Sequence, residues 1–256
     1  MRINKDQIVE DLDNFIPEIK KVFKNKKNPD SKHVVKYLKS YYDRFSKIIE
    51  MICRVYPRGK GKKILDIGIA YGFYGIILKK RFGFNVAGGE LKERIKKYCS
   101  LCNKYRIKVK PVDLLKNKLP FNKSEFDTIV LAEVIEHVPI APYNIFKTVG
   151  PYIKKNGYLL ITTPNIAQAR NIMKLISGKN ITEKFSQDKK ISIRIDLRSH
   201  VREYDKYELI SNLEKADFKI DSLEMLSGQG IRDPLEKILS NFDRYKKYII
   251  IRAKKK

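Results

Sequence analysis

The sequence contains no apolar run that approaches the ~20 residues a membrane-spanning helix needs. Its first residues include Arg2, Lys5 and Asp6 and lack the apolar core of a secretory signal, so we expect a cytoplasmic protein without a transmembrane segment. Hydrophobic residues make up 43% of the chain and charged residues 33%. This balance excludes both a disordered tail and an integral membrane protein.

Cysteine is scarce, and the three residues present are Cys53, Cys99 and Cys102. An odd number in a chain of 256 residues does not describe a disulfide framework and favours a reducing compartment. Cys99 and Cys102 form a C-x-x-C, but the sequence has no second such pair and no histidine beside this one to complete a zinc site. We therefore interpret them as two ordinary thiols on a helix.

Acidic residues are few relative to basic ones. The chain holds 55 Lys and Arg against 29 Asp and Glu, which gives a formal net charge of +26. A folded domain this positive attracts polyanions such as nucleic acid or an anionic membrane surface. The basic residues are spread along the whole chain, so a general compositional bias is the alternative explanation. Any basic binding face has to be formed by folding.

The pattern of apolar residues changes near residue 57. Before it, Asp6 to Phe23 and Val34 to Tyr56 show the spacing of amphipathic helices, with a polar break at residues 28–31. We predict that residues 1–57 form a helical preface and that residues 58–256 form one larger domain.

From Lys62 onwards short apolar segments alternate with helical ones, which predicts an α/β, Rossmann-like doubly wound, mostly parallel sheet of seven strands with an N-terminal helical extension. The predicted strands are 64–67, 84–88, 107–112, 126–132, 158–162, 218–226 and 247–252. The predicted helices are 73–82, 91–104, 143–153, 166–176 and 206–215.

The strongest motif is the segment Ile64-Leu65-Asp66-Ile67-Gly68-Ile69-Ala70-Tyr71-Gly72, an apolar strand that ends in small residues before a helix. Small residues let the backbone turn sharply and let a ligand lie against it at the helix N-terminus. Glu90 follows the second predicted strand, where an acid suits two ribose hydroxyls. An NAD-binding domain is the competing interpretation, but it needs glycine where Ala70 stands.

This segment resembles motif I of the class I S-adenosylmethionine-dependent methyltransferases, and the later motifs follow in the family's order. Segments 126–139 and 154–165 are similar to the family's fourth and fifth strands, and the resemblance covers roughly Lys62 to Leu226. It implies S-adenosylmethionine as cofactor, with Asp66 near the methionine part, Glu90 on the ribose and Asp113 near the adenine amino group. The cofactor-binding residues that the resemblance implies are Asp66, Gly68, Ala70, Gly72, Glu90, Asp113, Leu114 and Glu133.

The sequence departs from the family pattern at two places. Ala70 stands where the family usually has glycine, and Asn156-Gly157 replaces the usual Gly-Gly. Alanine is the least disruptive substitute for glycine, so we expect cofactor binding to be retained.

A histidine follows the fourth predicted strand, at the edge of an α/β sheet where ligands bind. A hydroxyl acceptor has to lose a proton during methyl transfer, and His137 is our candidate for the general base. The alternative is that His137 caps the helix or packs under a substrate loop.

The same segment carries an alternative metal site. Glu133, Glu136 and His137 are spaced so that they share one face if the segment is helical, and His200 is a candidate fourth ligand. Mixed carboxylate and imidazole ligands suit a divalent ion such as Mg²⁺ or Mn²⁺. The set resembles that of the RNA 3′-terminal 2′-O-methyltransferases, which bind a metal there. Small-molecule methyltransferases carry similar stretches without a metal, so we do not favour one.

The resemblance predicts a methyltransferase that acts on an oxygen of a small or lipid-like metabolite, with nitrogen as the less favoured acceptor atom. Residues 166–203 are the expected substrate-side insertion, in which Arg194, Arg198 and Arg202 either bind an anionic acceptor or form a solvated face. The alternatives are metal-assisted 2′-O-methylation of RNA and a non-catalytic nucleic-acid-binding scaffold. The intact Asp66, Glu90 and Asp113 count against a scaffold.

Overall fold

The computed structural model describes residues 4–24, 29–182, 200–228, 231 and 233–256. The chain forms two compact units, one of residues 1–130 with 151–158 and the other of residues 131–150 with 159–256. The N-terminal helices belong to the first unit. Arg194 and Arg198, two of the arginines considered for an anionic acceptor, lie outside the described residues.

The sheet follows the predicted architecture. In the described part of the chain, the strands are β1 (Lys63–Ile67), β2 (Asn85–Glu90), β3 (Lys108–Pro111), β4 (Phe126–Ala132), β5 (Ile153–Pro164), β6 (Phe218–Leu226) and β7 (Tyr248–Lys255). These seven described strands form one sheet in the order β3-β2-β1-β4-β5-β7-β6. β1, β2 and β3 pair in parallel, while β6 and β7 pair antiparallel. The predicted Rossmann-like, mostly parallel seven-stranded sheet is confirmed.

The described helices are α1 (Lys5–Asp13), α2 (Ile16–Val22), α3 (Ser31–Ser40), α4 (Tyr42–Val55), α5 (Phe73–Phe82), α6 (Lys92–Tyr98), α7 (Ser100–Lys104), α8 (Pro142–Val149), α9 (Ala169–Ile176), α10 (Lys206–Lys215) and α11 (Pro234–Leu239). Among them, none combines the length and the apolar character that crossing a bilayer demands.

Three predicted helices are each divided into two in the structure. Pro17 lies in the first turn of α2, where its missing N–H cannot continue the hydrogen bonds of α1. The other two breaks fall at Tyr41 and Cys99, whose ψ angles of 18° and 21° end the helical ladder. Hydrophobic spacing continues through each break, which is why the sequence predicts single helices.

β5 begins five residues before the predicted strand, and the Asn156-Gly157 pair lies inside it. Asn156 has a φ of 61°, a left-handed conformation that asparagine tolerates better than most residues. A Cβ on Gly157 would lie 2.8 Å from the carbonyl oxygen of Asp127. Asparagine is therefore acceptable at the first of these positions, whereas the second requires glycine.

The N-terminal helices pack on the helix that follows β1. The ring of Phe15, between α1 and α2, lies 6.0 Å from that of Phe73, and the ring of Phe45 in α4 lies 5.9 Å from that of Tyr74. Phe15, Phe45, Phe73 and Tyr74 are all buried. The helical preface is thus part of the hydrophobic core of the first unit.

A short helix, α11, lies between β6 and β7 and has no counterpart in the sequence-based prediction. It begins after Asp233, whose carboxylate accepts hydrogen bonds from the N–H groups of Leu235 and Glu236, and Pro234 occupies its first turn. Six residues are too few to show a helical period. α11 packs against α9 within the second unit.

Candidate active site

The turn between β1 and α5 is built on left-handed backbone. Gly68, Ala70 and Gly72 have φ angles of 80°, 45° and 73°. The N–H groups of Gly68 and Ile69 donate to the carbonyl oxygen of Gly89 at 2.8 and 3.3 Å, which ties the turn to the end of β2. No described side chain caps the N-terminus of α5. Its first N–H groups can therefore bind an anionic group of a ligand.

Gly72 is required by packing as well as by its φ angle. A Cβ at this position would lie 2.5 Å from the Sγ of Cys102, a buried residue of α7. The same Sγ lies 3.9 Å from the carbonyl oxygen of Ala70. A hydrogen bond with Cys99, together with burial, raises the pKa of the Cys102 thiol. Both cysteines of the C-x-x-C are buried, and the thiol of Cys102 packs against the turn.

Asp66 lies near the end of β1 and is 1% exposed. Its Oδ1 accepts a hydrogen bond from the Tyr74 hydroxyl, and its buried Oδ2 has no hydrogen-bond partner among the described residues. Burial raises the pKa of Asp66 to about 8, against the lowering effect of the Tyr74 hydrogen bond and with a further increase from Glu90. A buried oxygen without a partner suits a cationic or hydrogen-bond-donating ligand.

Glu90 is the last residue of β2 and lies at the same sheet edge as Asp66, because β1 and β2 are parallel. Its Oε2 accepts from the N–H of Ala70 at 3.1 Å, and its Oε1 accepts from the N–H of Leu91 at 3.0 Å. The Nε of Arg94 lies 3.3 Å from Oε1. Carboxylate oxygens have two lone pairs each, so Glu90 can also accept from ribose hydroxyls.

Asp113 follows β3, which pairs with β2, so it extends the same sheet edge. Its carboxylate accepts from the N–H of Leu115 at 3.0 Å and caps the short 3₁₀ turn Leu114–Lys116. Leu114 is buried and Asp113 is half-buried. The first unit thus presents three acids, one at or just beyond the carboxyl end of each of three neighbouring strands.

These residues fit the cofactor that the sequence resemblance implies. The unpartnered Oδ2 of Asp66 suits the cationic methionine part, and the turn at Gly72 leaves no room for a side chain. Glu90 and Asp113 supply acceptors for hydroxyl and amino groups. Tyr74, which positions the Asp66 carboxyl, was not predicted. It is the second residue of α5, and its place eight residues after Asp66 is the sequence signal for the contact.

Glu133 comes directly after β4 with a φ of 55°. Its N–H donates to the carbonyl oxygen of Thr162 at 2.9 Å, and its Oε1 accepts from the Thr162 hydroxyl at 3.0 Å. The carboxylate is therefore held against β5 within the second unit.

A cluster of two histidines and a glutamate lies in the second unit. Glu136, His137 and His200 place one nitrogen or oxygen atom each within 4.8 Å of one another. The two imidazole rings lie edge to face with centroids 5.1 Å apart. Glu136 is fully buried, and its Oε2 accepts from the Thr163 hydroxyl at 3.1 Å. The N–H of Val201 donates to the carbonyl oxygen of Glu136 at 2.8 Å, which holds the His200 segment beside it.

Three of the four residues of the alternative metal set lie together in the structure. Residues Ile135–His137 form a 3₁₀ turn instead of an α-helix, so Glu133 does not share a face with Glu136 and His137. In the described part of the chain, the residues that converge are Glu136, His137 and His200, without Glu133.

Glu203 and Asn171 were missed by the sequence analysis. The Nδ1 of His200 lies 3.1 Å from the Oε1 of Glu203, and the Nδ2 of Asn171 donates to Oε2 at 2.8 Å. Burial alone would raise the pKa of Glu203, but the hydrogen bonds from His200 and Asn171 outweigh it and lower that pKa. A carboxylate at Nδ1 fixes the tautomer and orientation of an imidazole ring. The three-residue separation of His200 and Glu203 was the sequence signal from which this contact could have been predicted.

The strand order, with the antiparallel pair β6 and β7 at one end of the sheet, is that of the class I methyltransferase fold. The family model described as "Methyltransferase domain" matches residues 37–223, so the chain belongs to this methyltransferase family.

Solved structures share the fold. An S-adenosylmethionine-dependent methyltransferase from Methanosarcina mazei has a TM-score of 0.57 at 19% identity, over 80% of this chain and 96% of that one. Phosphoethanolamine N-methyltransferase 2 from Haemonchus contortus, in complex with S-adenosylmethionine, has a TM-score of 0.59 at 15% identity, over 91% and 59%. Geranyl diphosphate methyltransferase in complex with S-adenosylmethionine has a TM-score of 0.52 at 15% identity, over 78% of this chain and 80% of that one. No curated protein matches the sequence.

Proposed function

We propose that this methyltransferase acts on an oxygen atom of a small or lipid-like, anionic acceptor, with His137 as the general base. The observation that carries the proposal is the convergence of His137 and His200 beside the buried Glu136. A hydroxyl group has to lose its proton as it is methylated, and a neutral imidazole is the side chain best suited to accept it near neutral pH.

The cofactor residues have a separate task in this proposal. Asp66, Gly68, Ala70, Gly72, Glu90, Asp113 and Leu114 hold S-adenosylmethionine, which supplies an activated methyl group on a sulfonium. The residues of the chain bind and orient the reactants, because an in-line displacement depends mainly on positioning, worth about 7–11 kcal/mol in favourable cases. His200, fixed by Glu203, supports the ring of His137 in the orientation needed for proton transfer.

An anionic acceptor is supported by the charge of the chain, +26, and by two of its structural neighbours. Phosphoethanolamine and geranyl diphosphate, after which those neighbours are named, both carry phosphate groups. Positive charge raises the local concentration of such acceptors and the rate at which they associate.

The proposal is tested by incubating the protein and labelled cofactor with lipid, metabolite and RNA fractions. We expect label in a lipid or metabolite fraction, and mass spectrometry of the product to place the methyl group on oxygen. His137→Gln should lower kcat about 10²- to 10⁴-fold without weakening cofactor binding. His33→Gln, at an exposed histidine of α3, is the matched control and should retain full activity. Methylation of a nitrogen, or a fully active His137→Gln variant, would contradict the proposal.

Metal-assisted 2′-O-methylation of RNA is the second candidate function. It is favoured by the 4.8 Å grouping of Glu136, His137 and His200, whose mixed oxygen and nitrogen atoms suit Mn²⁺ or a similar ion. In that case the label enters RNA, a chelator abolishes the activity and added Mn²⁺ restores it, and Glu136→Gln loses the metal. RNA affinity should also fall steeply with salt, because each neutralised phosphate releases counterions.

A further inference from the structure

Two contacting helices of the second unit expose large apolar side chains. Leu175 and Ile176 at the end of α9 are 55% and 79% exposed, and Leu235 and Ile238 on α11 are 51% and 58% exposed. Phe242, in the turn after α11, is 54% exposed. These five residues are called the apolar patch below. Large apolar side chains grouped in this way mark an interaction surface.

The apolar patch does not serve the packing of α9 against α11. A cavity of about 320 Å³ is lined by residues of both helices and of the chain before β7, among them Arg170, Glu236, Tyr245 and Lys247. Apolar side chains that sealed the helix contact would occupy this space, because their burial there is favourable. Mostly polar side chains line the cavity instead, with Ala169 and Ile231 among them, while the five apolar side chains are more than half exposed.

Basic residues accompany the apolar patch. Arg170, Lys174 and Lys179 lie in and just after α9, and the sequence has no acidic residue between positions 169 and 182. Lys237 and Arg244 are exposed on and after α11. Of the acidic residues near α11, Asp233 caps the helix, Glu236 lines the cavity and Asp243 pairs with Lys246 at 2.6 Å.

We propose that the apolar patch and its basic residues dock the protein on an anionic membrane surface. Short amphipathic helices bind such a surface by placing apolar side chains among the outer acyl groups and Lys or Arg beside the lipid phosphates. This interaction is independent of the methyl acceptor and goes beyond the proposed reaction.

Charge and side-chain chemistry favour a lipid surface over other partners. A second copy of the chain would bring two basic surfaces together, which repulsion between chains of charge +26 disfavours. RNA is bound by stacking bases on aromatic rings, whereas four of the five residues in the apolar patch are aliphatic. Of these three partners, only an anionic membrane binds both the exposed apolar side chains and the basic residues beside them.

Fluorescence tests the insertion directly, because the chain contains no tryptophan. Phe242→Trp places one reporter in the apolar patch, and Tyr207→Trp places one at a 71% exposed residue of α10 as the matched control. We expect the emission of Phe242→Trp to shift to the blue with vesicles of phosphatidylcholine mixed with phosphatidylglycerol. It should not shift with phosphatidylcholine alone, and Tyr207→Trp should respond to neither.

Vesicle co-sedimentation of the full chain measures the contribution of each feature. Ile176→Gln with Ile238→Gln should weaken binding to anionic vesicles about tenfold or more, because the apolar contribution of two side chains is lost. Lys174→Glu with Lys237→Glu should weaken it strongly at low salt. Lys215→Glu with Lys219→Glu changes the net charge equally at exposed positions outside the patch and should have a smaller effect.

Several results would overturn the proposal. One is the absence of binding to anionic vesicles. Another is binding that both charge-reversal pairs weaken equally and that the isoleucine substitutions leave unchanged, since this shows general electrostatic attraction only. A dimer in sedimentation velocity that the isoleucine substitutions dissociate would assign the patch to a second copy of the chain. RNA binding that depends on the same isoleucines would assign it to nucleic acid.

Discussion

The buried carboxyl of Asp66 holds a proton in the folded protein that it would lose in the unfolded chain. Burial raises its pKa from 3.8 to about 8. Between these values the folded state binds one more proton than the unfolded state, so the contribution of Asp66 to stability falls as pH rises from about 4 to about 8. Burying Asp66 therefore lowers the stability of the folded protein above its ordinary pKa. We propose that the buried carboxyl is present because it binds a cationic ligand.

Asp66→Asn should remove this pH dependence. The amide cannot ionise, so the variant should gain stability relative to the natural protein as pH rises from about 5 to about 8. Urea unfolding at the two pH values measures the change, and Glu214→Gln at an exposed carboxylate is the control. A difference between variant and natural protein that stays constant over this range would refute the account of Asp66.

Ala70→Gly should stabilise the protein. A left-handed residue with a Cβ costs about 1–2 kcal/mol, while glycine adds about 0.5–1 kcal/mol of unfolded-state entropy, so a net gain of about 0.5–1 kcal/mol is expected at φ 45°. Ala216→Gly, at a φ of −91°, relieves no strain, raises the entropy of the unfolded chain and removes a buried methyl group, so it should destabilise. The two variants are compared by denaturant unfolding, and equal effects would show that the Ala70 conformation is unstrained.

At the scale of single side chains, the sequence located at strand ends the three acids that we propose for cofactor binding, but it did not predict their partners. Asp66, Glu90 and Asp113 stand at strand ends, which a hydrophobic pattern locates well. The contacts of Tyr74 with Asp66 and of Asn171 with Glu203 depend on the packing of separate elements, and no local pattern encodes them.

Among the elements, the turn before α5 depends on a glycine that packs against a cysteine. Gly72→Ala should lower the free energy of unfolding by about 2–4 kcal/mol, from the strain at φ 73° and from the 2.5 Å approach to Cys102. Gly178→Ala is the matched control, since φ is 66° and no atom lies within 4 Å, and it should cost only about 1 kcal/mol. Adding Cys102→Ala should recover part of the Gly72→Ala loss. Equal losses for the two alanine variants would contradict the packing explanation.

Asp127 joins three strands within the first unit through two lysines and a backbone N–H. Its carboxylate lies 3.1 Å from the Nζ of Lys62 and 2.6 Å from that of Lys154, and it accepts from the N–H of Lys63 at 2.9 Å. Burial raises the pKa of Asp127, but these hydrogen bonds outweigh it and hold the pKa below its ordinary value. The stabilisation is therefore present above the ordinary pKa and is lost as pH falls through the lowered one.

Asp127→Asn should destabilise the protein by about 1–3 kcal/mol near neutral pH, because the buried carboxylate loses the charge that pairs with two part-exposed lysines. The loss should shrink as pH falls below the ordinary carboxyl pKa of 3.8 and through the lowered one, where the natural carboxylate also takes up a proton. Asp217→Asn breaks an exposed pair with Lys147 and should have a far smaller effect. Unfolding measured against pH tests this, and a loss that is constant with pH would show that charge is not responsible.

The boundaries of four elements were predicted well. β4, β6, α5 and α10 match their predicted limits, because each is bounded by a clear change in polarity. The breaks at Pro17, Tyr41 and Cys99 leave the hydrophobic spacing intact, and the 3₁₀ turn after β4 replaces a helix on which the four-residue metal set depended. The position of a helix break or a 3₁₀ turn depends on tertiary packing and on single residues, so hydrophobic spacing does not predict it.

Considered as a whole, the molecule is strongly basic, with a net charge of +26, although the site that we propose for the cofactor is acidic. The acids that identify the chemistry are buried or half-buried at one sheet edge of the first unit, and many basic residues are exposed. In the second unit, exposed basic residues accompany the apolar patch on α9 and α11. The fold and cofactor class could be predicted from sequence because they rest on ordered motifs. The patch could not, since exposure is known only once the helices are placed.

Isothermal titration calorimetry with S-adenosylmethionine tests the central claim most directly. The account predicts that the natural protein and the His33→Gln control bind one equivalent of the cofactor. Asp66→Ala and Glu90→Ala should each weaken this binding tenfold or more, on the order of 1.4 kcal/mol or above, because each removes a buried acceptor. Absence of binding to the natural protein, or unchanged affinity in both variants, would contradict the account.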